Sequence, residues 1–296
     1  MALTKLKIKT LLFLLFFAGQ NLIMCQNFDE ETDYITNTFF CTRLANTHTI
    51  ETLDKGVLDV RLGHRMGRIQ SGIENLFGLN QASSQFGVEY GITPVLMIGL
   101  NTNSLNNVYS GFVKYKILRQ STGKKEIPFS ISLLSNIEIK TGALNYPNNQ
   151  FYFSSRLNYT QQCIIARKFS DKFSFQISPV LVHKNMVKTR EDHNNIFILN
   201  LGSRYKIKRK IATTIEYNYL LPNQIYSDIN GMKPLNSISI GLDLFTGKHT
   251  FQFFITNVVA MNESALFTEN TEQIFQKGLH FGFNISRLFN IVNYYE

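Results

Sequence analysis

Thirteen side chains suited to ionic chemistry fall at alternate positions of extended segments. They are Arg61, Arg65, Glu89, Lys114, Lys116, Glu138, Lys140, Arg156, Arg204, Lys206, Glu216, Asp243 and His280. Successive side chains of a strand point to opposite faces, so these groups share one face with Gly, Ser, Thr, Asn and Gln. The other face is left to apolar residues. In Val57–Arg65, residues Leu58, Val60 and Leu62 lie on one side, and Asp59, Arg61, Gly63 and Arg65 on the other. Phe86, Val88 and Tyr90 oppose Gly87 and Glu89; Val113, Tyr115 and Ile117 oppose Lys114 and Lys116. Rows of mixed charge on one face could line a wet passage for small polar solutes. They could equally pair across an interior and stabilise it.

Other chemistry has weaker support. His183 and His193 flank a loop with Glu191 and Asp192, the residue types that hold a cation, although such loop groups are commonly just solvated. Ser286 and His280 share a strand face, but six residues separate them by about 20 Å, too far for a hydrogen bond. There is no nucleophile elbow, Gly-rich phosphate loop or HExxH. No catalytic residue, metal site or cofactor is expected. An enzyme acting on lipid at a membrane rim stays as a minor alternative.

The elements that must carry these rows are strands, about a dozen of them. The links between them alternate in length. Short links fall near Thr93–Val95, Ser170–Lys172, Lys208–Lys210 and Thr246–His249. Long ones fall near Gly67–Ser83, Thr141–Gln150, Asn185–Asn195, Leu221–Asn236 and Val259–Lys277. A barrel threaded up and down through a bilayer makes tight turns on one side and long loops on the other. Strands of about 9–11 residues suit a tilted crossing. An open edge in lipid would leave unpaired backbone groups, so the sheet must close. The expectation is an all-β, closed, antiparallel, up-and-down transmembrane β-barrel of about twelve strands, with a short N-terminal extension. One strand is expected to run from Phe151 to Phe169. Barrels of about eight strands are filled by side chains and those of sixteen or more hold a channel, so twelve does not decide between them.

Residues 1–25 read as a secretory leader. Lys5, Lys7 and Lys9 precede the apolar Leu11–Gly19, which is too short to span a bilayer. The leader ends either in cleavage after Cys25 or in a defective lipobox with lipid on Cys25. Its removal takes away the three lysines and lowers the formal charge from +9 to +6. Residues 26–55 are acidic at first, then rich in Thr and Phe. They read as a periplasmic tail or as a segment folded into the barrel mouth as a partial plug. Residues 56–296 form the barrel. Hydrophobic residues are 44% of the chain, enough when only one strand face must be apolar, and the aromatic belt must be Phe and Tyr because Trp is absent. No spacing supports a Cys41–Cys163 disulfide or a zinc site. Basic residues are scattered over turns and the inferred lumen rather than gathered in a stripe, which argues against nucleic acid despite a pI near 9.4.

The residues also resemble a family. Thr42-Arg43, Glu51-Thr52-Leu53, Arg61-Leu62-Gly63-His64-Arg65, Gln81-Ala82-Ser83-Ser84, Tyr115 to Gln120, Phe153 to Leu157, Ile165 to Ser170 and His280 to Arg287 carry the likeness. Together they are similar to an uncharacterised β-barrel family of Bacteroidota, the domain of unknown function 5777. The resemblance implies an outer-membrane barrel and brings no activity, ligand or catalytic residue. The ending Asn293-Tyr294-Tyr295-Glu296 departs from a terminal aromatic. The leading functional expectation is passage or binding of a small solute, with outer-membrane lipid as the surrounding partner. The alternative is a non-transporting anchor that binds an extracellular or periplasmic protein through its long loops.

Overall fold

The protein is described from a computed structural model covering residues 31–142, 152–229, 231–276 and 278–292; the leader expected at residues 1–25, most of the Thr141–Gln150 connection and the terminal Asn293–Glu296 lie outside the described residues. Twelve strands close into one antiparallel barrel. They are β1 (Val57–Arg68), β2 (Ala82–Thr93), β3 (Leu96–Asn103), β4 (Val108–Leu118), β5 (Ser130–Lys140) and β6 (Leu157–Lys168), followed by β7 (Phe173–Lys184), β8 (Asn195–Lys208), β9 (Ile211–Leu220), β10 (Ser237–Phe245), β11 (His249–Thr256) and β12 (His280–Asn290). Each pairs with its chain neighbours, and β12 closes on β1 with Ile285 opposite Leu62. Closure leaves no unpaired sheet edge.

Alternation fixes which face is which. Leu62, Phe86, Leu100, Phe197, Ile240 and Phe253 stand exposed on the outside, while Arg61, Glu89, Asn101, Gln176, Asn200 and Gln252 are buried inside. This inverts the arrangement of a water-soluble sandwich and matches a wall bathed in lipid. Register shifts fall at Gly91/Thr93, Lys116/Leu118, Lys206/Lys208 and His280/Gly282, all close to strand ends. Bulges concentrate at barrel rims, where the ladder can bend without losing the belt.

The connections depart from strict parity in two places. Ser104–Asn107 is a tight link at the long-loop end, built on the 3-10 turn Leu105–Asn107. Arg119–Phe129 is a longer link at the turn end, and its Ser121–Thr122 pairs with Asp33–Tyr34. The strand expected from Phe151 begins instead at Leu157. Phe153–Arg156 forms a 3-10 turn, with the Ser155 N–H donating to the Tyr152 carbonyl at 3.0 Å.

The interior is packed with two further stretches of chain. Residues 38–50 enter from the turn end and are buried for nearly their whole length. From the loop end, the β11–β12 connection folds inward and carries a short helix, α1 (Glu263–Thr268), whose six residues are all buried. Inward glycines make room. A methyl built on Gly202 would overlap the Leu44 side chain, and one on Gly91 would overlap the Asp54 carbonyl.

Candidate functional site: the filled lumen

The N-terminal segment is a hairpin-like loop. Arg43 bridges to His48, the Leu44 N–H donates to the Thr47 carbonyl at 2.8 Å, and the Thr49 N–H to the Thr42 carbonyl at 2.9 Å. Its tip lies on Glu216. The N–H groups of Asn46 and Thr47 donate to Glu216 Oε2 at 2.9 and 3.0 Å, and Asn46 Nδ2 donates to Oε1 at 3.2 Å. Arg65 Nη2 donates to the Ala45 carbonyl at 3.1 Å and to Asn46 Oδ1 at 2.8 Å. Lower down, Thr42 Oγ1 and Arg43 Nε donate to the Glu89 carboxylate at 2.6 and 3.0 Å. Lys114 Nζ reaches the Thr49 carbonyl at 3.2 Å, Gln176 the His48 carbonyl at 2.8 Å, and Arg204 the Asn37 carbonyl at 3.0 Å. The barrel wall thus supplies side-chain donors and acceptors to a backbone with no ladder of its own, as buried backbone groups require. Apolar support comes from Phe39, Leu44 and Ile50 on Ile164 and Ala166, and from Leu53 on Met97, Phe112 and Leu134.

The upper filling is held differently. Val258, Leu266 and Phe267 pack on Val180, Val182, Ile196 and Ile198 of β7 and β8. The Ser264 N–H and hydroxyl and the Asn262 amide all donate to Glu138, the N–H at 2.9 Å and the amide at 3.0 Å. Asn136 and Gln162 donate to Glu263 Oε2 at 3.2 and 3.0 Å. Lys140 and Lys184 converge on Glu269 Oε1 at 2.9 and 2.8 Å. The two fillings meet where His48 Nε2 lies 3.1 Å from Glu263 Oε1.

Burial tunes these groups. It pushes the Glu263 carboxyl up to about 7. It also drives His48 well below its ordinary value, with the Arg43, Lys114 and Arg61 charges adding to the effect. The pair therefore favours a neutral imidazole facing a carboxyl that holds its proton near neutrality. Burial, reinforced by Asp243, lifts the Cys41 thiol to about 12, so it is no nucleophile. For Glu269 burial acts upward, but Lys184 and Lys140 outweigh it and keep the carboxylate ionised.

Of the thirteen residues singled out by sequence, nine are buried on the inner wall: Arg61, Arg65, Glu89, Lys114, Glu138, Arg204, Glu216, Asp243 and His280. Lys116 lies near the turn end, 3.9 Å from Glu51, and Lys140 sits at the loop end on Glu269. Lys206 is partly buried near the turn-end rim, next to the β8 register shift. Arg156 is not on a strand; it closes the Phe153–Arg156 turn and donates to the Lys140 and Gly142 carbonyls at 3.0 and 2.9 Å. Sequence reasoning missed Arg43, Glu263 and Glu269, which lie outside the alternating segments. The apolar Ala265, Leu266 and Phe267 in a long loop were the available signal. In the His183–His193 loop, Asp192 accepts backbone N–H groups from Thr189, Tyr226 and Ser227 at 3.1, 2.6 and 2.8 Å. Burial acts upward on it, but these bonds outweigh that and hold its carboxyl near 2.

A cavity of about 520 Å³ remains at the loop end, walled by Arg65, Arg68, Gln81, Ser83, Glu272 and His280. His280 Nδ1 lies 3.0 Å from the Met66 carbonyl, which only accepts, so in the neutral ring Nε2 is the acceptor. Ser83 Oγ and His280 Nε2 have no hydrogen-bond partner among the described residues.

Several solved structures are similar to this chain. A NanC porin covers 78% of this chain and 98% of its own at 13% identity, with a TM-score of 0.49. A KdgM porin gives 78%, 98%, 10% and 0.46, and an outer membrane channel from Pseudomonas putida F1 gives 81%, 98%, 11% and 0.49. Likeness of this degree fixes neither cargo nor gating. No curated protein sequence matches the chain. A family model described as "Membrane bound beta barrel domain", domain of unknown function 5777, matches residues 39–289, and the chain belongs to that family.

Proposed function

We propose that the protein is an outer-membrane barrel of a Gram-negative bacterium, of the Bacteroidota as the resemblance implies, that admits a small polar solute when residues 37–54 leave the lumen. The turn end then faces the periplasm and the long loops face outward. The observation that carries this reading is the chemistry of the wall around the segment. Arg61, Arg65, Glu89, Lys114, Glu216 and Asp243 are buried there. Buried ion pairs contribute little stability that apolar packing would not supply better. Part of this wall answers the hairpin's backbone, but Asp59 bonds Arg61 and Asp243 bonds Gln252, both on the wall itself, and a wall that is wetted in another state accounts for them. The loop-end cavity, with its arginines, Glu272, Ser83 and His280, is where a solute rich in hydroxyls or charge would first be held.

The filled lumen also favours a second reading, a closed structural anchor. Single-channel recordings in planar bilayers separate the two. For the gated barrel, residues 26–296 conduct rarely and a variant lacking residues 26–50 conducts steadily. Silence from both proteins would exclude passage and leave the anchor.

A further inference from the structure

Near mid-height, the lipid-facing belt carries a pair of exposed polar side chains that bond each other. Ser135 occupies the sixth of the eleven positions of β5 and pairs in register with Gln161 of β6. Both side chains point outward and are exposed, and Gln161 Nε2 donates to Ser135 Oγ at 2.9 Å. The second N–H and the carbonyl of that amide have no partner among the described residues. In hydrocarbon an unmet amide group costs several kcal/mol. The same place is the floor of a hollow of about 760 Å³, where the small Ser135, Cys163 and Pro179 lie between Tyr115 and Phe197. Those two rims are 48% and 52% exposed, so they stand proud of the floor. A second hollow, about 490 Å³ and floored by Gly99 and Gly111, shares Val113 and Ser135 with the first.

We infer that the β4–β8 face of the barrel docks a second copy of this chain within the membrane, through the Ser135–Gln161 pair and the hollow around it. Lipid tails at mid-depth carry nothing to bond the amide. A second copy does, because both chains insert with the same orientation and set Gln161 at the same depth. An amide is both donor and acceptor, so it is complementary to its own twin across a two-fold axis along the membrane normal. Small residues and a hydrogen-bonding amide are what draw segments together in lipid, where apolar burial gives no drive. The rims Tyr115 and Phe197 supply the ridges that fill the opposite hollow. The inference stands apart from whether the lumen opens.

The test uses residues 26–296 with Cys41→Ser, reconstituted in phospholipid vesicles, where Cys163 lies two positions from Gln161 on the same face. Docked copies are expected to give a two-copy product with a bismaleimide and two-step photobleaching of a single dye per chain. Gln161→Leu is expected to weaken pairing about tenfold, on the scale of one such bond in a membrane. Ile240→Ala, on β10 outside the β4–β8 face, is expected to leave it unchanged. Resistance of the unheated barrel to denaturing detergent reports that each variant is folded. If Gln161→Leu fails to fold, Ser135→Ala replaces it, with the same expected direction. One-step bleaching without cross-linking at every protein density, or a dimer indifferent to Gln161→Leu, would overturn the proposal.

Discussion

The two stretches of chain inside the barrel fill similar space with different balances of polar and apolar contact. The N-terminal hairpin is held by wall side chains that bond its backbone: Glu216 under Asn46 and Thr47, Arg65 on Ala45, Gln176 on His48. The α1 loop is anchored by an apolar cluster with Leu266 and Phe267 against β7 and β8, and its acids meet wall side chains, Glu263 bonding Asn136 and Gln162, and Glu269 bonding Lys140 and Lys184. Polar bonds exchange with water at little net cost, about 1 kcal/mol each, so apolar packing also holds each stretch, through Phe39, Leu44, Ile50 and Leu53 in one and Val258, Leu266 and Phe267 in the other. In the gating proposed above, the hairpin is the stretch that leaves and the loop the stretch that stays.

The comparison can be broken from either side. The largest effect is expected for Phe267→Ala, which should loosen α1 by roughly 3–5 kcal/mol through transfer and cavity terms. Amide exchange of residues 262–268 should then rise while that of residues 42–49 holds. Glu216→Ala should do the reverse and free the hairpin tip by about 2–3 kcal/mol, because three donors lose a buried carboxylate. If either substitution loosens both stretches alike, the two are one unit and the contrast is wrong.

Acidity should separate them next. His48 is held neutral when the hairpin is seated and takes a proton near 6.5 when released, so seating is strongest above that pH and fades as pH falls below it. Glu263 binds its proton up to about 7 in the docked loop but only to about 4.5 when free, so α1 docking weakens as pH rises from 4.5 to 7 and is level above. Exchange corrected for its intrinsic pH dependence should show residues 42–49 opening, and residues 262–268 tightening, between pH 8 and pH 5. The smallest effect is expected for Arg68→Ala. Its bidentate pair with Glu272, at 2.9 and 2.8 Å, is half exposed, and under about 1 kcal/mol should be lost from thermal stability in detergent.

Much of the barrel was legible in the chain because a strand writes its two faces into alternate residues. Val88 and Tyr90 against Glu89, or Ile215 and Tyr217 against Glu216, leave one reading of in and out once the membrane is granted. What was illegible depends on partners far along the chain. The burial of Glu263 and Glu269 is set by Gln162, Lys140 and Lys184, more than eighty residues earlier. Nor does anything local to Arg43 reveal that Glu89 will meet it. Phe153 keeps strand parity yet sits in a 3-10 turn, because Ser155 closes on Tyr152 and outcompetes the ladder at its end. The inner faces could be read, but what presses against them could not.

The central claim is that motion of residues 37–54 opens the lumen, and a reversible lock tests it most directly. Asn46 Nδ2 lies 2.8 Å from Ser239 Oγ, so Asn46→Cys with Ser239→Cys, in a Cys41→Ser, Cys163→Ser background, offers a disulfide between hairpin tip and wall. Single-channel recording of this variant should show openings under reducing conditions that vanish on oxidation and return on reduction. Conductance that is the same in both states would contradict the account.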